Sequence, residues 1–335
     1  MSGPRVGLVL GAGGLAGQAY HAGVLAALEH HLGWDPRDAE IIVGTSAGSL
    51  TGALLRAGVS AEDQARYAVE SPLTPAGHQL MATMREHDTP EIDPITWRDA
   101  LRMPRMPSPA MVRRFARNPR AFRAAAVMSA LMPAGRFRLI DHVEPLAEML
   151  GRSWPERDLY ICAVRSSDGR RIVFGRAGAS VTSVATAVAA SCAIPGWFAP
   201  VRIGGVDHVD GGGHSPTNAD VLHGRGLDLV IALSPMSGIP SAWQAPDASI
   251  RAHFHRVLRR EALRLRAEGT TVVRFEPSAR DLAVMGVNAM ADGRQTAITQ
   301  QAFLSAGKRL GVPAVASRLE PLDRTGFAHR VTAAA

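Results

Sequence analysis

Hydrophobic residues along the chain fall into short, continuous apolar runs, separated by glycine-bearing turns and helix-like stretches. The first two runs, Val6–Leu10 and Ile41–Val43, are each followed by such a turn and by a segment of helical composition. Continuous runs of this length are typical of strands buried on both faces, as in parallel sheets covered by helices. The start of the chain therefore predicts a β-α-β-α arrangement, and Ser60–Asp63 resembles a capping box that opens a further helix.

The pattern changes between about Ser71 and Gly135, where prolines, methionines and arginines dominate and no strand is evident. We interpret residues 71–138 as a helical insertion. Strand patterns return after it, including two hairpins with turns at Ser166–Gly169 and Gly204-Gly205. The later predicted strands are Leu159–Arg165, Arg171–Phe174, Pro200–Ile203, Val206–Val209, Leu227–Leu233 and Thr271–Phe275. A small-residue helix at Ser183–Cys192 and a mostly helical remainder complete an α/β fold: three layers, α/β/α, with a mainly parallel central sheet.

Length and composition fit one large domain with an insertion better than two independent folds. The chain has 335 residues, of which 46% are hydrophobic, so it can bury a sizeable core. We expect the domain to span 5–320 and to be followed by a C-terminal tail, 321–335. No signal-peptide pattern or membrane-spanning apolar run is evident, and the two cysteines, Cys162 and Cys192, are too far apart to indicate a disulfide framework or a metal cluster. These features predict a cytoplasmic protein without a metal.

Positive charge is concentrated in the predicted insertion. Ten arginines and one acid, Asp99, lie between Arg98 and Arg138, while the whole chain carries a net charge of +7. One interpretation is a lid with a solvated basic face. The other is a surface that contacts anionic lipid headgroups, each basic residue contributing about 1 kcal/mol, which would place the protein peripherally on the inner face of the membrane. Nucleic acid is not expected as a partner, because no stacking platform accompanies the arginines.

The strongest candidate for chemistry is Ser46, in the sequence Gly44-Thr45-Ser46-Ala47-Gly48. This G-x-S-x-G follows the second apolar run and precedes a helix-like segment. A strand, a sharp turn and a helix are the context in which such a serine is lifted clear of a sheet as a nucleophile. The helix that follows directs its N–H groups toward the group that the serine attacks.

A glycine-rich loop, Gly11–Gly17, lies between the first strand and its helix. Such a turn points consecutive N–H groups into one concavity, which suits a phosphate or a developing oxyanion. The spacing Gly11-x-Gly13-x-x-Ala16 also matches a dinucleotide fingerprint, but the acid expected after the second strand is replaced by Gly44-Thr45-Ser46. A purely structural turn is the remaining alternative.

An acid, Asp210, leaves a predicted hairpin strand into the glycine cluster Gly211–Gly213. Taken alone, this sequence is as typical of a turn as of a catalytic base. The nearby histidines suggest no triad: we expect His21 to be a helix residue near the oxyanion turn, and His208 and His214 to lie on a hairpin or loop surface.

Taken together, these motifs resemble those of the patatin-like acyl hydrolases. The resemblance covers the glycine loop with Ala19–Leu25, the Ser46 pentapeptide, Ala190–Gly196, and Asp210–Gly212 with Ser215–Asp220, in the family's order. It implies a lipid or acyl-ester substrate, no cofactor, and a Ser–Asp dyad that forms an acyl-enzyme. The implied motif glycines are Gly11, Gly17, Gly44, Gly48, Gly211 and Gly212.

The resemblance implies that Ser46 is the nucleophile, that Asp210 is the base, and that the N–H groups of Gly13, Gly14 and Ala47 form the oxyanion hole. One departure is Ala16, where many relatives carry Arg or Lys. Acyl transfer to another alcohol would use the same machinery as hydrolysis. A non-catalytic lipid-binding or regulatory module with the same fold is the alternative from another class.

Overall fold

The computed structural model describes residues 3–82, 113, 116–117, 135, 137–142, 144–151, 153–239 and 247–334. Within them, eight strands form one sheet. The strands are β1 (Val6–Leu10), β2 (Ile41–Thr45), β3 (Asp158–Arg165), β4 (Arg170–Phe174), β5 (Val201–Ile203), β6 (Val206–Asp210), β7 (Leu229–Leu233) and β8 (Thr271–Phe275). Every strand predicted from an apolar run is present, with ends that differ by at most two residues.

The helices lie between these strands and after the last one. They are α1 (Gly14–Leu32), α2 (Ala47–Arg56), α3 (Ala61–Ala68), α4 (Pro75–Leu80), α5 (Glu144–Leu150), α6 (Val184–Ser191), α7 (Ala248–Arg266), α8 (Ala279–Met285), α9 (Gln295–Leu310), α10 (Pro313–Leu319) and α11 (Phe327–Ala333). Ser60 caps α3, as the sequence predicts: its hydroxyl accepts a hydrogen bond from the Asp63 N–H at 3.0 Å. None of the described helices is both long and apolar enough to span a bilayer.

The sheet is mainly parallel, which confirms the predicted fold class. Its order is β5-β6-β3-β2-β1-β7-β8, with β4 paired to the other edge of β3. Six strands run in one direction, and only β4 and β6 run against them. Both antiparallel strands belong to hairpins whose turns lie where the sequence places them.

Alternating side chains of the central strands enter two separate hydrophobic clusters. Leu8 and Leu10 of β1 belong to the cluster that includes α1, α2, α6 and α9. Val9 points to the opposite face, where Leu258, Ala262 and other residues of α7 cover the sheet. The result is three layers, α/β/α, with the glycine loop and Ser46 at the carboxyl ends of the parallel strands β1 and β2.

Most of the predicted insertion, 71–138, lies outside the described residues. The part that is described begins with α4, where the Thr74 hydroxyl accepts the Gly77 N–H at 3.0 Å. At its other end, the chain returns to the domain near Phe198. The Gly135 N–H donates to the Phe198 carbonyl at 3.2 Å, and Phe137 forms a bridge with the same residue.

Candidate active site

The lengths of three strands bring Ser46 and Asp210 together. β2 pairs with the first part of β3, so that Thr45 lies opposite Cys162, and β6 pairs with the next part, so that Asp210 lies opposite Ala163. β4 pairs with both Cys162 and Ala163, so it occupies the edge of β3 that faces away from β2 and β6. β2 and β6 therefore share one edge of β3, and β6 begins to pair where β2 stops. Because β6 runs antiparallel to β2, the carboxyl ends of the two strands meet.

Ser46 occupies a sharp turn between β2 and α2. Its backbone has φ 52° and ψ −123°, a conformation that residues other than glycine rarely adopt. The Ser46 N–H donates to the Ser191 hydroxyl at 2.9 Å, and that hydroxyl donates to the Cys162 carbonyl at 2.7 Å. The Ser49 hydroxyl donates to the Ser46 carbonyl at 2.7 Å. Hydrogen bonds from both sides thus hold the turn in its strained conformation.

The two glycines of the pentapeptide are required by close backbone contacts. A Cβ atom at Gly44 would lie 2.5 Å from the Cα of Ser49, and one at Gly48 would overlap the Leu10 carbonyl. Neither position can accept a side chain without moving α2 away from β1 and β2. The G-x-S-x-G pattern is therefore explained by packing as well as by the turn.

The Asp210 carboxylate is buried beside the Ser46 hydroxyl. Only 6% of Asp210 is exposed, and its Oδ1 accepts the Gly212 N–H at 2.7 Å. Burial raises the pKa of Asp210 to about 6, although hydrogen bonds from the Ser46 side chain and the Gly212 N–H lower it. A carboxylate with this pKa can accept and return a proton near neutral pH.

The glycine loop lies beside the Asp210 turn, and its backbone is fixed up to Ala12. The Gly11 N–H donates to the Leu233 carbonyl at 2.9 Å, and the Ala12 N–H donates to the Pro216 carbonyl at 2.7 Å. A Cβ at Gly212 would lie 3.4 Å from the Ala12 Cβ. The next two N–H groups, of Gly13 and Gly14, donate to no acceptor among the residues described here. They open α1, so they carry the positive end of its dipole.

Ala16, in the glycine loop, is buried and covered. It is 3% exposed, and its N–H donates to the carbonyl of Ala289 at 3.0 Å. Met290 covers the same helix start, since its Sδ lies 2.8 Å from the position of a Cβ at Gly14. The segment after α8 therefore lies over the start of α1, and a long side chain at position 16 would displace it.

The histidines are more buried than the sequence suggests. The expectation that His208 lies at the surface is wrong: it is 2% exposed, and its ring makes an edge contact with Phe174 at 5.4 Å between centroids. The hairpin strand carries it inward because its face is covered by β4 and α6 residues. His21 is a residue of α1, as expected, and it is fully buried, which lowers its pKa to about 3.

Two neighbours of Ser46, Ser191 and Cys192, carry no predicted catalytic role. Ser191 fixes the Ser46 N–H, and Cys192 lies 3.8 Å from the Ser49 hydroxyl through its Sγ. Burial raises the pKa of Cys192 to about 12, so the thiol stays protonated despite hydrogen bonding with Ser49 and Ser46. The sequence signal for Ser191 and Cys192 is their position in the block Ala190–Gly196, which is part of the family resemblance. No group of three or more His, Cys, Asp or Glu residues forms a metal site within the described ranges.

Residues 8–223 match the family model of the patatin-like phospholipases. The chain belongs to this family. Family membership supports lipid hydrolysis as the class of activity. Among solved structures, the chain is similar to VipD from Legionella pneumophila, with 11% identity, a TM-score of 0.39, and coverage of 99% of this chain and 75% of that one. It also matches a structure of the heterodimeric ExoU–SpcU complex from the type III secretion system of Pseudomonas aeruginosa, with 17% identity, a TM-score of 0.35, and coverage of 99% and 59%.

Proposed function

We propose that this member of the patatin-like phospholipase family is a serine acyl-ester hydrolase that uses Ser46 and Asp210 as a dyad. The observation that supports it most directly is the buried Asp210 carboxylate beside the Ser46 hydroxyl, with a pKa of about 6. A serine hydroxyl is a weak nucleophile until a base lies within reach of its proton.

In the proposed reaction, Asp210 takes the Ser46 proton as the Oγ attacks the carbonyl carbon of a lipid ester. The tetrahedral intermediate collapses, Asp210 returns the proton to the leaving alcohol, and an acyl-Ser46 ester remains. Asp210 then takes a proton from water, which attacks this ester. The fatty acid leaves, and the proton returns to Ser46.

The negative oxygen of each tetrahedral intermediate would bind to backbone N–H groups. Gly13 and Gly14 are the first candidates, because their N–H groups have no acceptor among the described residues and open a helix. The N–H of Ala47, at the start of α2, is the third. Loss of one preorganised donor of this kind costs on the order of a hundredfold in rate.

The dyad is tested with Ser46→Ala and Asp210→Asn on a short-chain nitrophenyl ester. We expect each variant to lower kcat by about a thousandfold or more while remaining folded. Matched controls are Ser305→Ala and Asp63→Asn, which remove a remote hydroxyl and a second buried carboxylate. If either dyad variant keeps most of its activity, the dyad is wrong.

Two further measurements separate the alternatives. A fluorophosphonate probe labels an activated serine, so a folded wild-type protein whose Ser46 stays unlabelled would instead be a lipid-binding or regulatory module. Products formed in the presence of an added acceptor alcohol distinguish hydrolysis from acyl transfer.

We also propose that the segment Arg98–Arg138 brings the enzyme to anionic membranes, on the inner face of the membrane. The support is its charge of ten arginines against one acid, since basic residues near such a surface contribute about 1 kcal/mol each. Vesicle co-sedimentation with and without anionic lipid tests this, and we expect binding to weaken with salt.

A charge-matched control makes that experiment specific. Arg113, Arg117 and Arg123 are replaced together by Gln in the segment, and Arg256, Arg260 and Arg264, which are exposed on α7, are replaced in the control. We expect only the first variant to lose binding. Equal loss from both, or binding that is insensitive to lipid charge, removes the proposal.

A further inference from the structure

A single short segment, Ser215–Ala219, contacts each of the three loops that make up the site. Its Pro216 carbonyl accepts the N–H of Ala12 in the glycine loop at 2.7 Å. Its Asn218 side-chain amide donates to the hydroxyl of Thr45, next to Ser46, at 3.0 Å. Its Ser215 N–H donates to the Gly211 carbonyl, next to Asp210, at 3.3 Å. The position of this segment therefore affects the oxyanion loop, the nucleophile and the base together.

The conformation of the segment is not one that the chain adopts freely. Asn218 has φ 52°, in the left-handed region, and its Nδ2 also donates to the Ser215 carbonyl at 2.7 Å. On the far side, its Oδ1 accepts from Arg171 at 3.1 Å, and Arg171 pairs with Asp220 at 2.6 Å. Such a backbone persists only where its surroundings hold it in place.

The carboxylate of Glu261, on α7, provides most of that support. Its Oε1 accepts the Ser215 hydroxyl at 2.7 Å, and its Oε2 accepts the Thr217 hydroxyl at 2.6 Å and the Ala219 N–H at 3.1 Å. Glu261 is only 2% exposed. A buried carboxylate is retained at a cost unless hydrogen bonds satisfy its oxygens, and charge-assisted bonds of this kind are about twice as strong as neutral ones.

We infer that Glu261 is a positioning residue for the reaction proposed above, and this inference rests on that proposed function. Glu261 bonds to the segment rather than to Ser46 or Asp210, so it acts through Ser215, Thr217 and Ala219. It also lies beyond residues 8–223, the part of the chain that matches the family. A displacement of about 1 Å in an active site can cost on the order of a hundredfold in rate, so loosening this segment lowers kcat.

The test compares Glu261→Gln with Glu276→Gln. Glu276, which follows β8, is also buried, at 8% exposure, and its carboxylate pairs at 2.6 Å with His255 of α7, away from the segment. Each substitution replaces a hydrogen-bonded buried carboxylate by its neutral isostere. The measurements are kcat and KM for a nitrophenyl ester, the rate of fluorophosphonate labelling of Ser46, and the urea midpoint.

We expect Glu261→Gln to lower kcat and the labelling rate by about ten- to a hundredfold with little change in KM, whereas Glu276→Gln lowers the urea midpoint and leaves kcat unchanged. Labelling at the wild-type rate in folded Glu261→Gln overturns the inference. A wild-type protein that is not labelled at all contradicts the proposed function instead. Equal loss of kcat in both variants shows a general structural effect, which also overturns it.

A second variant covers the case in which Glu261→Gln does not fold. Thr217→Val removes one of the bonds and keeps the carboxylate, and we expect a smaller loss of kcat, about three- to tenfold, again at constant KM. Where both single variants fold, the double variant Glu261→Gln/Thr217→Val should lose less than the product of the two effects, because the residues act through one contact. Multiplicative effects, or an unchanged kcat in Thr217→Val, contradict the inference.

Discussion

At the scale of single residues, burial determines the chemistry of Asp210. An exposed aspartate would be a poor base at neutral pH, because its conjugate acid gives up its proton too readily. The 6% exposure of Asp210 raises its pKa to about 6, and the Ser46 and Gly212 hydrogen bonds keep the ionised form accessible. The same side chain is thus largely ionised at pH 7 and still basic enough to take a proton.

The first prediction concerns the pH dependence of activity. In the proposed reaction only ionised Asp210 can accept the Ser46 proton, so kcat/KM for the ester should rise about tenfold per pH unit below pH 6 and level off above it. Initial rates between pH 4.5 and 8 measure this, with circular dichroism at each pH as the control for folding. A flat profile across this range excludes Asp210 as the base.

The second prediction concerns stability. The pKa of Asp210 is higher in the folded state than the unfolded value of 3.8. Its favourable contribution to the free energy of unfolding is therefore fully present below pH 3.8 and is lost as the pH rises through about 6. Asp210→Asn does not titrate. The free energy of unfolding of wild type should therefore fall relative to that of Asp210→Asn by about 3 kcal/mol over this window. Urea unfolding of both proteins at several pH values measures the difference, and a constant difference contradicts the assigned pKa.

Ser46 and Asp210 could be predicted as candidates because each lies in a short sequence with a specific backbone requirement. The burial that raises the pKa of Asp210 could not be predicted, because it depends on neighbours far away in sequence. Ser191, which fixes the Ser46 N–H, and Glu261, which holds Ser215 and Thr217, are of the same kind. Ser191 lies in the block Ala190–Gly196, but that block does not show which N–H group it contacts, and nothing local distinguishes Glu261 from other polar residues in helices.

At the scale of elements, the strands were predictable because their apolar runs are short and bounded by turn residues. The start of α1 was less predictable, because the helix begins at Gly14, inside the glycine-rich loop. Glycine disfavours helix, and packing of α1 against α9 overrides that preference; a Cβ at Gly23 would overlap the Thr299 carbonyl of α9. The approach of the carboxyl ends of β2 and β6 along one edge of β3 could not be predicted either, because it depends on long-range strand pairing.

The third prediction tests the close contact between α2 and the sheet. A Cβ at Gly48 overlaps the Leu10 backbone, whereas one at Gly52 of the same helix meets only side-chain atoms, the nearest being the Cγ2 methyl of Ile42 at 2.8 Å. We expect Gly48→Ala to destabilise the protein by about 3 kcal/mol or more, and Gly52→Ala by less than about 1.5 kcal/mol because helix propensity offsets part of the cost. Urea unfolding compares the two. Equal losses would show that the backbone contact is not the cause.

At the scale of the whole molecule, the chain beyond residue 223 belongs to the same core as the family-matched part. α9 packs along α1, and α7 covers the second face of the sheet. The sequence indicated only that this region is helical, because helices of ordinary composition do not reveal which surface they cover. The single domain over 5–320 and the tail over 321–335 stay predictions.

The final residues, 321–335, contribute buried groups of their own. Leu322 and Ala328 are 4% and 0% exposed, and Phe327 lies 4.9 Å from His31 at the end of α1, measured between ring centroids. The Arg324 N–H donates to the Leu32 carbonyl at 2.7 Å, which satisfies one of the carbonyls that a helix end leaves unpaired. The C-terminal helix α11 therefore covers the end of α1 opposite to the glycine loop.

The fourth prediction follows from this packing. A chain that ends at Glu320 should lose about 3 kcal/mol or more of unfolding free energy, because the buried Leu322 and Ala328 and the partly buried Phe327 and Val331 leave the core together. A chain that ends at Ala333 is the control and should match the full protein, since Ala334 is exposed. Fluorophosphonate labelling of Ser46 in native buffer should survive both truncations, because 321–335 lie at the far end of α1 from the glycine loop. An unchanged urea midpoint for the shorter chain would place these residues outside the cooperative unit, and loss of labelling would connect them to the active site.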